Sequence, residues 1–157
     1  MDRRHFLAAT AATALYTAIR PRAFAAEPRT DALADLRKRF GDRLVAPDDA
    51  RYESYRKVRN RAFDDVKPRA LVTAASVEDV RFALQWAAAN KVPVVPRCGG
   101  HSYIGQSTTD GLVISLLGMA STTIDKATMT ADIAAGALNV DANFALLKEG
   151  VALPTGS

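Results

Sequence analysis

An apolar run, Val92 to Pro96, leads without a break into Arg97-Cys98-Gly99-Gly100-His101-Ser102-Tyr103-Ile104-Gly105-Gln106-Ser107. No other stretch of the sequence restricts the fold so strongly. Consecutive glycines permit backbone conformations closed to other residues and let a ligand come close to the main chain. Successive N–H groups turned toward one point form a nest for an anion. Arg97 adds a positive charge and Ser102 a hydroxyl donor, so the residues themselves suggest an anion, above all a phosphate. A glycine turn around a hydrogen-bonded histidine explains the same composition.

Other glycine motifs do not fit. Gly100-x-x-x-x-Gly105-Gln106-Ser107 has the outline of a P-loop, but Gln106 stands where the phosphate-binding lysine must be. The dinucleotide fingerprint G-x-G-x-x-G is absent. Gly-Gly-His also occurs in lipase oxyanion loops, yet the chain has no G-x-S-x-G nucleophile elbow.

The flanks alternate between strand and helix patterns. Ala70 to Ala75 reads as a buried strand. Ser76 caps a helix with Asp79 three residues on, an approximate capping box. Val77, Val80, Leu84 and Ala87 form its apolar stripe, and Asn90 is expected to close it in the left-handed region. Val92 to Pro96 is the next strand, so the unit predicts a right-handed parallel crossover. Gly111 to Leu116 is a third strand. After a turn at Asp125-Lys126-Ala127, Met129, Ala131 and Ile133 alternate with polar residues as in a half-buried strand. Asn139 is expected to cap a helix carrying Val140, Phe144 and Leu147, stopped by Gly150. Val151-Ala152-Leu153 begins another extended piece. Upstream, Leu33, Leu36 and Phe40 mark a short amphipathic helix ended by Gly41. Arg51 to Arg61 is basic and aromatic, but Asp48, Asp49, Glu53, Asp64 and Asp65 interrupt it, so it reads as a solvated face or packing arm.

Charge narrows the function classes. The chain has 157 residues and a formal net charge of +4. Residues 1–25 hold four arginines against one aspartate, whereas residues 26–157 hold 17 bases and 16 acids. The excess therefore belongs to the N-terminus, and nucleic acid is not an expected partner. One cysteine, Cys98, rules out an intrachain disulfide, and with His5 and His101 it is too few for a four-ligand zinc site; no metal is expected.

The N-terminus itself reads as an export signal over residues 1–25. A charged start, Asp2-Arg3-Arg4-His5, precedes an uncharged run of 14 residues from Phe6 to Ile19. That is short of the roughly 20 residues needed to span a bilayer, so no stable membrane anchor is expected. Ala23-Phe24-Ala25 fits small-x-small cleavage, and Arg3-Arg4-His5-Phe6-Leu7 looks like the twin-arginine motif R-R-x-F-L. Engagement of the twin-arginine export machinery and a periplasmic or secreted location are the expectations. Residues 26–66 then form an N-terminal arm with helical segments, and residues 67–157 the principal domain.

The stretch Pro96-Arg97-Cys98-Gly99-Gly100-His101-Ser102-Tyr103-Ile104-Gly105, with Asp110-Gly111-Leu112-Val113-Ile114 beyond it, resembles the FAD-binding domain of the vanillyl-alcohol oxidase/p-cresol methylhydroxylase (PCMH) superfamily. The berberine-bridge-enzyme-like oxidases, with R-x-G-G-H-S-Y-x-G, are the nearest match within it. The likeness extends through Arg61-Ala62-Phe63-Asp64-Asp65-Val66-Lys67-Pro68-Arg69-Ala70, Ser76-Val77-Glu78-Asp79-Val80, Gly136-Ala137 and Leu153-Pro154-Thr155-Gly156-Ser157. It implies an α+β fold: the first part of a PCMH-type FAD-binding domain, a parallel βαβ unit followed by further strands and a helix.

The resemblance also implies roles. Arg97, Cys98, Gly99, Gly100, His101 and Ser102 would wrap the FAD pyrophosphate. His101 matches the histidine that many members bond covalently to the flavin 8α carbon. Tyr103, Gly105 and Ser107 would line the cofactor, and Gly136, Ala137, Gly156 and Ser157 match positions near it. Cys98 reads as a small packing residue. Ser115 stands where the family often has an acid. The family continues well past Pro154-Thr155-Gly156-Ser157, so the chain is read as an N-terminal fragment and no catalytic base is named. The expected intact enzyme transfers a hydride from an alcohol, sugar or amine-like small molecule to FAD and then to oxygen. A non-covalent FAD dehydrogenase or reductase of the same fold is the alternative, and a truncated inactive chain that binds nucleotide phosphate weakly is another.

Overall fold

The computed structural model describes residues 32–154. The export segment, Gly156 and Ser157 lie outside the described residues. The element order is α1 (Ala32–Phe40), β1 (Leu44–Val45), α2 (Tyr52–Arg56), β2 (Ala70–Thr73), α3 (Val77–Ala89), β3 (Val94–Arg97), β4 (Leu112–Ser115), β5 (Thr122–Asp125), β6 (Thr130–Ile133) and α4 (Asn139–Lys148). This is a mixed α+β architecture with a parallel sheet, as the resemblance implies.

The main sheet runs β1-β2-β4-β3, with β1 antiparallel to β2 and the other three strands parallel. The crossover from β2 through α3 to β3 is present, but β4 inserts between the two strands. Leu112, Val113 and Ile114 are almost free of solvent contact, and this all-apolar triplet takes the central place because both faces there are covered. Pro96 has no N–H to donate, and it sits in β3, which among the described residues is an edge strand paired with β4 alone. The register aligns Thr73, Ser115 and Arg97 in one row at the carboxyl ends of the parallel strands. The glycine-rich loop leaves from that row.

Helix α1 packs Leu36 and Phe40 into the core on one side of the sheet and ends at Gly41, whose φ is +53°. Helix α3 lies on the same core with Val80 and Ala87 of the expected stripe packed against it, but its buried face is rotated away from the other two. Val77 and Leu84 are exposed, while Asp79, Ala83, Trp86 and Ala87 are buried. The cap is as expected, Ser76 Oγ accepting from Asp79 N at 3.2 Å. The rotation follows from Asp79. Its carboxylate is 5% exposed and ion-paired to Arg39 at 2.9 Å and to Arg43, and it accepts from Ala75 N at 3.1 Å. Turning Val77 inward would pull that carboxylate away from both arginines. Lys91, not Asn90, takes the left-handed conformation, with φ +53°; Asn90 instead donates its side-chain amide to Trp86 O at 2.8 Å.

Burial alone would raise the Asp79 carboxyl, but the hydrogen bonds from Arg43, Ala75 N–H and Arg39 outweigh it and hold it below the ordinary value of 3.8. A depressed folded-state pKa contributes stability that is present above the unfolded value and lost as pH falls through the folded one. Acid titration of folding should therefore show a loss below about pH 4. Asp79→Asn should flatten that limb and cost about 1–2 kcal/mol at neutral pH, since both arginines are partly exposed and screened. An unchanged acid limb in the variant would contradict the assignment.

Two further corrections concern the C-terminal half. Thr122–Asp125, not expected as a strand, pairs antiparallel with Thr130–Ile133. Asp125 Oδ1 holds the turn by accepting from Ala127 N at 2.9 Å and Thr128 N at 3.3 Å. Residues 130–132 are exposed and Met129 is 75% exposed, so the alternation there marks a solvated hairpin rather than a half-buried strand. Helix α4 has Leu138 as its N-cap with no side-chain cap, and it buries Ala142 and Leu146. Val140, Phe144 and Leu147, which the helix carries as expected, are exposed. Gly150, φ +73°, stops it as expected. Among the described residues no helix is long and apolar enough to cross a membrane, and no group of three or more His, Cys, Asp or Glu residues is placed to hold a metal.

Candidate functional site

The loop after β3 is anchored at its base by Arg97. Its guanidinium is buried and donates to Ser107 O at 2.7 Å, Tyr55 O at 2.7 Å and Arg56 O at 3.3 Å. Burial pushes the group below the usual arginine range. Three carbonyl dipoles, two of them from the carboxyl end of α2, compensate the buried charge. The Arg97 side chain thus closes the loop on itself and on α2, and its charge is directed into the base rather than toward a ligand.

Beneath the loop runs the segment 58–63. Arg59 N donates to Gly100 O at 3.1 Å, and Asn60 Nδ2 donates to Tyr103 O at 2.9 Å. Gly100 adopts φ +70° and Gly105 φ +79°, values that exclude most residues with a Cβ. A Cβ at Gly105 would also lie 2.4 Å from the Phe63 ring. Phe63 is held in a 3-10 turn at Arg61–Phe63, capped by Asn60 Oδ1, which accepts from Ala62 N at 3.1 Å.

All described peptide bonds are trans, so each C=O opposes the following N–H. With Gly100 O turned down to Arg59 and Tyr103 O down to Asn60, the N–H groups of His101 and Ile104 point up, away from segment 58–63. Among the described residues, the main-chain N–H groups of Gly99, Gly100, His101 and Ser102 make no hydrogen bond. Ser102 Oγ accepts from Gln106 N at 3.0 Å, which leaves its own proton free to donate. These donors fit a diphosphate. Thr108 adds a buried hydroxyl with no hydrogen-bond partner among the described residues, and its N–H closes the loop on Gly105 O at 3.3 Å.

The structure brings the second expected segment to the same place. Cys98 Sγ lies 3.7 Å from Ala137 O. A Cβ on Gly99 would stand 3.2 Å from His101 Cδ2 and 3.6 Å from Leu138 Cδ2, so the imidazole folds over Gly99 beside Leu138. Gly136 is buried, and a Cβ there would fall 1.7 Å from Leu116 O. Arg97 through Gly105 and Gly136–Ala137 therefore form one constellation, with His101 and Tyr103 exposed on it. Cys98 is half-buried and packs between the two segments, as a small residue there should.

Val58, Arg59, Asn60 and Leu138 belong to this constellation and are not evident from spacing. The one hint is Asn60, a cap-forming residue at the end of a basic stretch just before Arg61-Ala62-Phe63.

Comparison with known proteins finds FAD-linked relatives. Residues 68–157 match the family described as FAD binding domain. Over 116 residues the chain is 34% identical to an uncharacterized FAD-linked oxidoreductase, YgaK, of Bacillus subtilis (strain 168), covering 73% of this chain and 26% of that one. The fold is similar to 6-hydroxy-D-nicotine oxidase from Arthrobacter nicotinovorans, with TM-score 0.66 and 29% identity over 72% of this chain and 25% of that one. It is also similar to a variant of BBE-like 1 from Physcomitrella patens, with TM-score 0.67 and 28% identity over 74% and 26% of the two chains. The chain spans about a quarter of the length of these relatives.

Proposed function

Because the chain belongs to the FAD binding domain family, we propose that it forms the first part of the cofactor domain of an exported FAD-linked oxidoreductase. The observation that carries this reading is the row of unbonded N–H groups from Gly99 to Ser102 at the carboxyl end of β3. Bound FAD would supply the hydride acceptor for an alcohol, sugar or amine-like small molecule, with oxygen as the final electron acceptor.

The chain's own residues bind and orient. The N–H groups of Gly99 to Ser102 and the Ser102 hydroxyl hold the diphosphate by charge-assisted hydrogen bonds. His101, exposed above Gly99, is the attachment point for the flavin 8α carbon. Tyr103, Gly105 and Gly136–Ala137 flank the cofactor. Arg3-Arg4 directs the folded, loaded protein to the twin-arginine machinery and so to the periplasm or beyond.

The full-length protein should purify from the periplasm with one FAD per chain, and its visible flavin absorbance should bleach anaerobically with a substrate of one of these classes. Arg3→Lys with Arg4→Lys should leave almost all of it in the cytoplasm with the N-terminus uncut. Full-length protein without flavin would defeat the cofactor reading, and normal export of the double variant would defeat the twin-arginine one.

A further inference from the structure

Asn60 stands outside every motif that marks the loop, yet it makes two bonds that no neighbour duplicates. Its Nδ2 donates to Tyr103 O at 2.9 Å, while its Oδ1 caps the 3-10 turn that carries Phe63. One side chain thus joins the upper loop to its support. The first bond has a directional consequence. In a trans peptide the Ile104 N–H must oppose Tyr103 C=O, so the amide of Asn60 fixes that donor on the upper face, the face that His101 N–H shares through the bond from Arg59 to Gly100 O. Between these two tethered carbonyls lie only His101 and Ser102.

We propose that Asn60 is a positioning residue for the diphosphate, acting through the Tyr103 carbonyl to hold the loop's N–H donors in one direction. This rests on the FAD reading of the site. Without the tether the Tyr103–Ile104 peptide is free to rotate. Tyr103 and Ile104 are 77% and 73% exposed, so little packing resists that rotation. An oxygen of Tyr103 turned upward would then meet the diphosphate with like charge.

Asn60→Ser separates the two bonds. Serine caps a helix start as well as asparagine does, so the Phe63 turn keeps its acceptor. Its hydroxyl is too short to reach Tyr103 O while capping. Asn60→Ala removes both. The measurement is the dissociation constant for FAD and for riboflavin, which lacks the diphosphate, in the full-length protein carrying His101→Ala so that binding is reversible. Asn60→Ser should weaken FAD about tenfold, the scale of one lost hydrogen bond to a ligand-orienting peptide, and leave riboflavin within about twofold. Asn60→Ala should weaken FAD at least as much and also lower the thermal midpoint, which Asn60→Ser should not. FAD affinity unchanged in Asn60→Ser, or an equal loss for both flavins, would overturn the positioning role. A parent protein that binds neither flavin would instead overturn the cofactor reading on which it stands.

Discussion

Replacing Gly136 with alanine should destabilise the protein by about 3 kcal/mol or more, the upper end of what overpacking a tight site costs. The reason is space. A Cβ at Gly136 would fall 1.7 Å from Leu116 O and 3.0 Å from Met119 O. Both obstacles are main-chain atoms of the turn that follows β4, and no rotamer change relieves them. The turn must therefore back away, and it is short: Ala137 N bonds Ala134 O at 2.9 Å. Moving it carries Ala137 off Cys98 and Leu138 off the Gly99–His101 pair. The same methyl group should thus loosen both the fold and the cofactor's seat. Gly150→Ala is the control. Its φ is +73° with nothing within 4 Å of the added Cβ, so it should cost only about 1 kcal/mol from the left-handed conformation. Denaturant unfolding of both variants decides the matter, and equal midpoints would refute the steric account.

Gly136 also shows how far the sequence could be read. The pairing of the Arg97–Gly105 loop with Gly136–Ala137 was legible through resemblance. The reason for the glycine was not, because the clash is with Leu116, a residue 20 positions upstream, just past the end of β4. Local signals hold at four positions and fail at two, since Asn90 is not left-handed and Asn139 is not the cap of α4. Ser76 caps α3, Gly41 and Gly150 end their helices, and Asp125 makes its turn. The other differences fall where a distant partner decides. The stripe of α3 is rotated because Arg39 and Arg43, some 40 residues upstream, claim Asp79. The apolar stripe of α4 marks a face that the described residues do not cover. Nothing near Asn60 marks its role, because its partner, Tyr103, lies 43 residues on. Residue type alone offers the charge of Arg97 to a ligand, but three carbonyls, from residues 10 to 42 positions away, take it up.

The proposed covalent bond to His101 gives the sharpest expected result. Trypsin should release Cys98–Lys126 as one peptide, since no lysine or arginine interrupts it. In the full-length protein that peptide should carry the mass of FAD, and His101→Ala should abolish the adduct completely while leaving reversible flavin binding. The peptide also contains Cys98 and Tyr103, both chemically able to bond a flavin, so the substitution must be paired with Cys98→Ser. Geometry favours the imidazole over the thiol. His101 is exposed on the face that presents the loop's free N–H groups, whereas Cys98 is half-buried with its sulfur against Ala137 O. Cys98→Ser should therefore keep the adduct in full. Loss of the bond should also lower the flavin's reduction potential, because an 8α substituent withdraws electron density, and oxidation of substrate should slow in step. An adduct that survives His101→Ala, or one that vanishes in Cys98→Ser, would move the attachment elsewhere. A parent peptide without any adduct, from a protein that still holds flavin, would leave the Gly99–Ser102 cradle as a non-covalent seat.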